Sequence, residues 1–250
     1  MNDSTDYSYE QNFFDHSLFY SENLTEELIF LSQHETKHAV NVLRLSLGTK
    51  IILSDGMGCK ATGTIESIND RQTSVRIIER VQFTRTAPDT TLCVGLPDRD
   101  AFEEICSTAT ALGIRRIVPL VADHCRKPWW NKWEKWELRF RKKTIVALKQ
   151  SCTLFLPEIT QPQTSNDAIQ QVDGCVLVAD RYGKPLNTAY DSLLRSRTFT
   201  CFIGPPGGFS PEESELFTRN GVTSIKIAPS RLRTELAVTV LCSQLIGHCL

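Results

Sequence analysis

The chain has 250 residues, 41% of them hydrophobic and 23% charged, with a formal net charge of -1. That length holds one large domain or two small ones around a sizeable core, and the near-neutral charge confines any nucleic-acid surface to a local patch. No apolar run approaches the ~20 residues of a membrane span, and no basic start leads into an apolar stretch as in a signal peptide, so the chain reads as cytoplasmic, without membrane attachment.

Residues 1–16 are acidic and polar and read as a disordered extension. Residues 17–84 have the pattern of a small β-rich unit. SLFYS is a strand, and HETKHAVNVLRLSLG a short helix closing on Gly48. IIL, the Asp55-Gly56 turn and the alternating residues up to Ile68 form a hairpin. SVRIIERVQF is a further alternating strand. Several short strands within ~65 residues suggest a small β-barrel.

After TRTAPDTT, near 82–90, the rhythm changes, and 88–250 reads as a second domain. TLCVGL, RRIVPLVA, GCVLVAD, TFTCFIG and VTSIKIA are buried-type strands. AFEEICSTATALG is an amphipathic helix ending on Gly113, and NKWEKWELRFRKKTIVALKQS is a long helix. PEESELFTRNG and RTELAVTVLCSQLIGHCL are two more. Strands alternating with helices give an α/β fold with a mostly parallel sheet covered on both faces.

Nine cysteines contain no CxxC pair and most sit in apolar segments. They read as buried free thiols of a reducing compartment, with no metal site.

Ligands of open α/β sheets bind at the carboxyl ends of strands. Three such ends stand out: Asp180 after VLVA, the FIGPPGGF turn, and IAPSRLRTE. In FIGPPGGFSPEE, glycines permit close backbone approach and prolines stiffen the path, while Ser210, Pro211, Glu212 and Glu213 signal a helix start. Neither GxGxxG nor GxxxxGK[ST] is present, which disfavours the usual dinucleotide and triphosphate sites. Arg231 and Arg233 precede a helix containing Glu235, and at i+2 Arg233 and Glu235 do not face each other. Nine basic residues from Arg126 to Lys149 interleave with Trp129, Trp130, Trp133 and Trp136. That pattern suits unpaired nucleic acid, or equally a solvated helix whose tryptophans dock on the core. His124 and Arg126 lie at one more strand end.

The stretches GLPDRDAFEEICSTATALGIRRIVPLVADHC, ALKQSCTLFLPEI, FIGPPGGFSPEE and APSRLRTELA, in this order, resemble the RsmE family, and KHAVNVLRLSLGTKIILSDGMG resembles that family's small RNA-binding barrel. The resemblance covers about residues 17–250. It implies a PUA-like barrel followed by a SPOUT methyltransferase domain whose sheet carries a trefoil knot. It further implies S-adenosylmethionine as cofactor, N3 of a uridine in small-subunit (16S) ribosomal RNA as target, the RNA or the 30S subunit as partner, no DNA, and a homodimer.

Carried onto this chain, the resemblance places the cofactor against Ile203, Gly204, Pro205, Gly207 and Gly208, against the loop Ile227, Ala228, Leu232, Arg233 and Thr234, and against Ala179 and Asp180. It assigns charge stabilisation to Arg233 and ordering of the loop to Glu235. His38, Arg44 and Arg126 are the candidate RNA contacts. The chain departs from the family pattern at Pro206, where an acidic residue is usual, at Asp98-Arg99, at Thr108 and Ala111, and at Thr153. Three readings are open: the methyltransferase, a SPOUT-fold RNA-binding protein with an altered target or lost catalysis, and an unrelated α/β enzyme for a phosphorylated small molecule.

Overall fold

A computed structural model describes residues 17–69, 71–126, 128–189 and 196–249. The extension expected over 1–16 lies outside the described residues. The chain divides into two compact units, residues 1–85 with 148–156, and residues 86–147 with 157–250.

In the first unit, β1 (Leu18–Tyr20), β2 (Leu28–Phe30), β3 (Lys50–Ser54), β4 (Cys59–Ile68) and β5 (Thr73–Gln82) form one sheet in the order β1-β3-β4-β5-β2. β1 runs parallel to β3, and the other pairs are antiparallel. Phe19, Ile29, Ile51, Leu53, Ala61, Ile65 and Val75 point into one core, which is the period-2 alternation read from the sequence. The β3–β4 connection spans four residues. Asp55 Oδ1 accepts from the Met57 and Cys59 N–H groups at 2.7 and 3.0 Å, and Gly56 and Gly58 take φ of +73° and +96°.

The helix expected to close on Gly48 stops earlier. α1 (Gln33–Lys37) runs into a single π-helical turn, His38–Val42. Val40, Asn41 and Val42 are weak helix formers, Arg44 turns left-handed at φ +52°, and Gly48 serves the turn into β3. β2, the three residues LIF, was not read from the sequence. Residues 148–156, read from the sequence as part of the second domain, group with the first unit. Leu148 and Leu156 pack on Leu18 and Ile52, Met57 bridges to Phe155, and Lys149 Nζ donates to Glu35 Oε1 at 2.7 Å.

The second unit is built on a wholly parallel sheet in the order β11-β9-β10-β6-β7-β8. Its strands are β6 (Asp89–Gly95), β7 (Arg116–Leu120), β8 (Glu158–Ile159), β9 (Cys175–Pro185), β10 (Thr198–Ile203) and β11 (Thr223–Lys226). Its helices are α2 (Arg99–Ala111), the bulk of α3 (Trp133–Ser151), α4 (Ser165–Ile169), α5 (Pro211–Arg219) and α6 (Thr234–Cys249). Alternate strand residues go to opposite faces. Leu92, Val94, Ile117, Leu177, Phe199, Cys201 and Ile203 pack under α2, α3 and α6. Cys93, Val118, Leu120, Val178 and Phe202 pack under α4 and α5. Both faces are therefore covered, as the apolar runs require. β8 and α4 are too short to have been read from the sequence.

The tryptophans dock on the core. Trp133 is buried, and its ring lies 5.7 and 5.2 Å from those of Phe102 and Phe140. Trp129, Trp130 and Trp136 pack at the edge of the same cluster. Of the two readings open for this segment, the structure supports the solvated helix. Cys93 and Cys242 are free thiols that burial pushes up to about 12. Among the described residues no helix is long and apolar enough to cross a membrane.

Candidate active site

The glycine-proline turn lies where β10 ends, and four other strand ends of the second unit come to it. β9 pairs with β10 as far as Phe202↔Val178, so Ala179 and Asp180 leave the ladder beside Ile203 and Gly204. β9 then shifts register against β11, from Ser224↔Val178 to Ile225↔Lys184, and residues 179–183 bulge between them. Asp180 fixes this bulge, its Oδ1 accepting from Tyr182 N–H at 3.0 Å and its Oδ2 from Ser224 Oγ at 3.3 Å. Gly95, at the end of β6, meets Pro205 so closely that a Cβ would lie 2.3 Å from the proline Cδ. β11 delivers the loop 227–233.

That loop holds the turn from one side. Thr234 Oγ1 donates to Gly204 O at 3.2 Å, and the Arg231 guanidinium donates to Pro206 O. Gln244 of α6 donates to Ile227 O at 3.3 Å, which ties the loop back to its own helix. The exit of β7 holds the turn from the other side. His124 Nδ1 lies 3.1 Å from Gly208 O, and a Cβ on Gly207 would come within 2.6 Å of His124 Cβ. Asp123 Oδ2 accepts from Ser210 Oγ at 2.6 Å.

Ser210 caps α5 in a complete capping box with Glu213, as the sequence signal required. The buried Glu213 carboxylate also accepts from Ser165 Oγ at 2.5 Å. A stiff turn is thus held at five points by polar side chains, all using backbone carbonyls or the cap.

What remains open is backbone N–H and space. Among the described residues the Gly207 and Phe209 N–H groups have no hydrogen-bond partner. Gly208 stands at φ +79° with nothing within 4 Å of where a Cβ would be. A turn with unpaired amides, and with open space beside one of its glycines, suits a ligand held by backbone groups. Arg233 is exposed at the mouth of the loop, and its guanidinium has no partner among the described residues. Glu235 sits half-buried in the first turn of α6 and makes no ion pair with Arg233 there.

The structure therefore brings together Ala179, Asp180, Ile203, Gly204, Pro205, Gly207, Gly208, Ile227, Ala228, Leu232, Arg233 and Thr234 around one turn. Leu232 and Ile227 rest on the core at its edge. Arg126, also in this unit, is exposed. In the first unit Arg44 is exposed, whereas the half-buried His38 ring packs edge-on to Phe19 at 6.0 Å. Burial, followed by the Lys149 cation, holds the His38 imidazole below its ordinary 6.5. Sequence reasoning did not foresee the Asp123–Ser210 and His124–Gly208 bonds. Their one signal was that VADH, too, is a strand end.

An RNA methyltransferase domain family model matches residues 85–246, and an RNA methyltransferase PUA domain model matches 31–78. A ribosomal RNA small subunit methyltransferase E from Rickettsia conorii is 30% identical over 224 residues, 87% of this chain and 90% of the relative. The chain belongs to that family. The Aquifex aeolicus family member is 29% identical over 92% of this chain and 99% of its own length. A Legionella pneumophila protein solved with bound cofactor SAM superposes with a TM-score of 0.84, 25% identity, and coverage of 93% and 97%. The family's Neisseria gonorrhoeae member, solved bound to S-adenosyl methionine, has the same fold, with a TM-score of 0.81 at 20% identity over 92% and 96% of the two chains.

Proposed function

We propose that the chain transfers a methyl group from S-adenosylmethionine to N3 of a uridine in small-subunit ribosomal RNA. The observation that carries this reading is a glycine turn held by two loops, with two amides unpaired among the described residues and open space at Gly208, in a chain of this family. On this reading residues 17–84 form the RNA-binding domain and 88–250 the methyltransferase domain, working in the cytoplasm on the RNA or the 30S subunit. The trefoil knot implied by the resemblance belongs to the same proposal.

Gly204, Gly207 and Gly208 hold the cofactor through backbone groups, with Ile203, Pro205, Ala228, Ile227 and Leu232 as apolar walls and Ala179-Asp180 at the side. The cofactor supplies an electrophilic methyl group on a sulfonium. The chain must supply position and charge, which account for much of the rate in such a reaction. Arg233, uncommitted at the loop mouth, stabilises the negative charge that develops on the uracil ring. Glu235 and Thr234 order the loop that presents it. Arg126 and, in the first unit, Arg44 and His38 meet RNA phosphates.

The test is a labelled methyl-transfer assay with unmodified small ribosomal subunits, followed by nucleoside identification. 3-Methyluridine is expected. Cofactor binding without any methylated nucleoside would instead favour a SPOUT-fold RNA-binding protein with an altered target or lost catalysis. Arg233→Ala is expected to lower kcat/KM by about 10²–10³-fold while leaving cofactor affinity within a few-fold, and unchanged turnover would remove the role assigned to it.

A further inference from the structure

Transfer to a uridine N3 has a requirement for which Asp123, Glu213 and Asp180 are poorly placed, each already engaged by hydrogen bonds. The N3–H bond must break, leaving its electron pair on nitrogen to meet the methyl group, and the proton needs an acceptor. Asp123 is bonded to Ser210 Oγ at 2.6 Å. Glu213 is buried and bonded at both oxygens. Asp180 is committed to Tyr182 N–H and Ser224 Oγ.

His124 is different. Its Nδ1 lies 3.1 Å from the Gly208 carbonyl oxygen. A carbonyl oxygen only accepts, so Nδ1 must carry the hydrogen. In the neutral ring this places the free lone pair on Nε2, on an exposed side chain with no other polar partner among the described residues. Two restraints orient it: the bond to Gly208, and the close packing of Gly207 on its Cβ.

A ring tethered through one nitrogen to an acceptor, with the other nitrogen left basic, is the arrangement a general base needs. From these contacts we infer that His124 is the proton acceptor for the target base. The uridine N3–H proton passes to His124 Nε2, the N–H electron pair stays on N3, and the imidazolium later gives the proton to water. The same Nδ1–H···O=C bond fixes Gly208, so one residue sets both the acceptor and the cofactor wall. This inference rests on the methyl-transfer reading above, and wild-type transfer to RNA serves as its separate control.

The first test needs no turnover. In ¹⁵N spectra of the histidine rings, the signal lost in His124→Asn should be that of an Nδ1–H tautomer, and an Nε2–H tautomer would overturn the assignment. The second separates acceptor from tether. The Asn amide nitrogen occupies the place of Nδ1 and can still donate to Gly208 O, but it has no basic nitrogen. His124→Asn should keep S-adenosylmethionine affinity within about twofold of wild type while kcat falls by about 10²-fold or more. His124→Ala should lose both, and added imidazole should restore part of its turnover. Wild-type-like turnover in His124→Asn, or a loss that follows cofactor affinity alone, would reduce His124 to a positioning residue and overturn the inference. Failure of wild-type transfer would instead sink the reading on which the inference rests.

Discussion

Gly207 and Gly208 are neighbours with different reasons for lacking a side chain. A Cβ on Gly207 would press on His124 at 2.6 Å, whereas Gly208 faces open space from a left-handed backbone at φ +79°. Ala at 208 costs about 1–2 kcal/mol of backbone strain and puts a methyl group where a ligand would lie. Gly208→Ala should therefore weaken S-adenosylmethionine binding in calorimetry by at least tenfold while lowering the unfolding midpoint only slightly. Ala at 207 should act through His124, displacing the ring from Gly208 O, so its effect on binding should largely vanish in a His124→Gly background, which lacks the Cβ it would press on. Equal effects of Gly207→Ala in both backgrounds would show that the contact is not the cause.

At the scale of elements, the legible and the hidden parts of the chain divide along physical lines. Long periodic segments such as α2, α3 and the buried strands were readable because alternation or helical spacing repeats several times within each. The glycine turn was readable too, as a tight turn between a strand and a helix that either binds a ligand or stiffens the path. The meeting of VADH with that turn was not, because it depends on strand order across the sheet, which no local pattern encodes. The end of α3 was hidden for the same reason. Lys149 looked like one more cation on a basic helix, yet within the first unit it is nearly buried, with its side chain 12% exposed against a Glu35 side chain 4% exposed. Lys149→Met should cost about 3–5 kcal/mol by leaving that carboxylate buried without its partner, measurable by denaturant unfolding. Glu35→Gln combined with Lys149→Met should recover most of the loss.

His38 beside them gives the same unit a pH dependence. Its folded value lies below 6.5, chiefly through burial, with the Lys149 cation adding and the Glu35 carboxylate opposing. The unfolded chain then takes up a proton that the folded ring resists, so this contribution is complete above pH 6.5 and is lost as pH falls through the folded value. Unfolding midpoints between pH 7.5 and 5 should fall less steeply in His38→Gln than in wild type.

For the whole molecule, the question is whether one chain is enough. α6 follows the loop that holds the glycine turn, and its buried residues Val238, Leu241, Cys242 and Leu245 already serve the core. Yet the opposite side of its first turns is also apolar: Leu236 is 48% exposed and Val240 half-buried. A helix apolar on more than one face has more to cover than its own sheet, and the resemblance implies a second copy of the chain as the partner that covers it. If this face meets its own copy, the assembly expected is a two-fold dimer. Sedimentation at micromolar concentration should give twice the chain mass. Leu236→Glu should yield monomers that keep the far-ultraviolet circular dichroism of the wild type, since Leu236 contributes little to the core. Because Leu236 lies two residues after Thr234, which donates to Gly204 O, the monomeric variant should also bind S-adenosylmethionine more weakly. A wild type that sediments as a monomer, or a Leu236→Glu dimer, would show that α6 is not the dimer face.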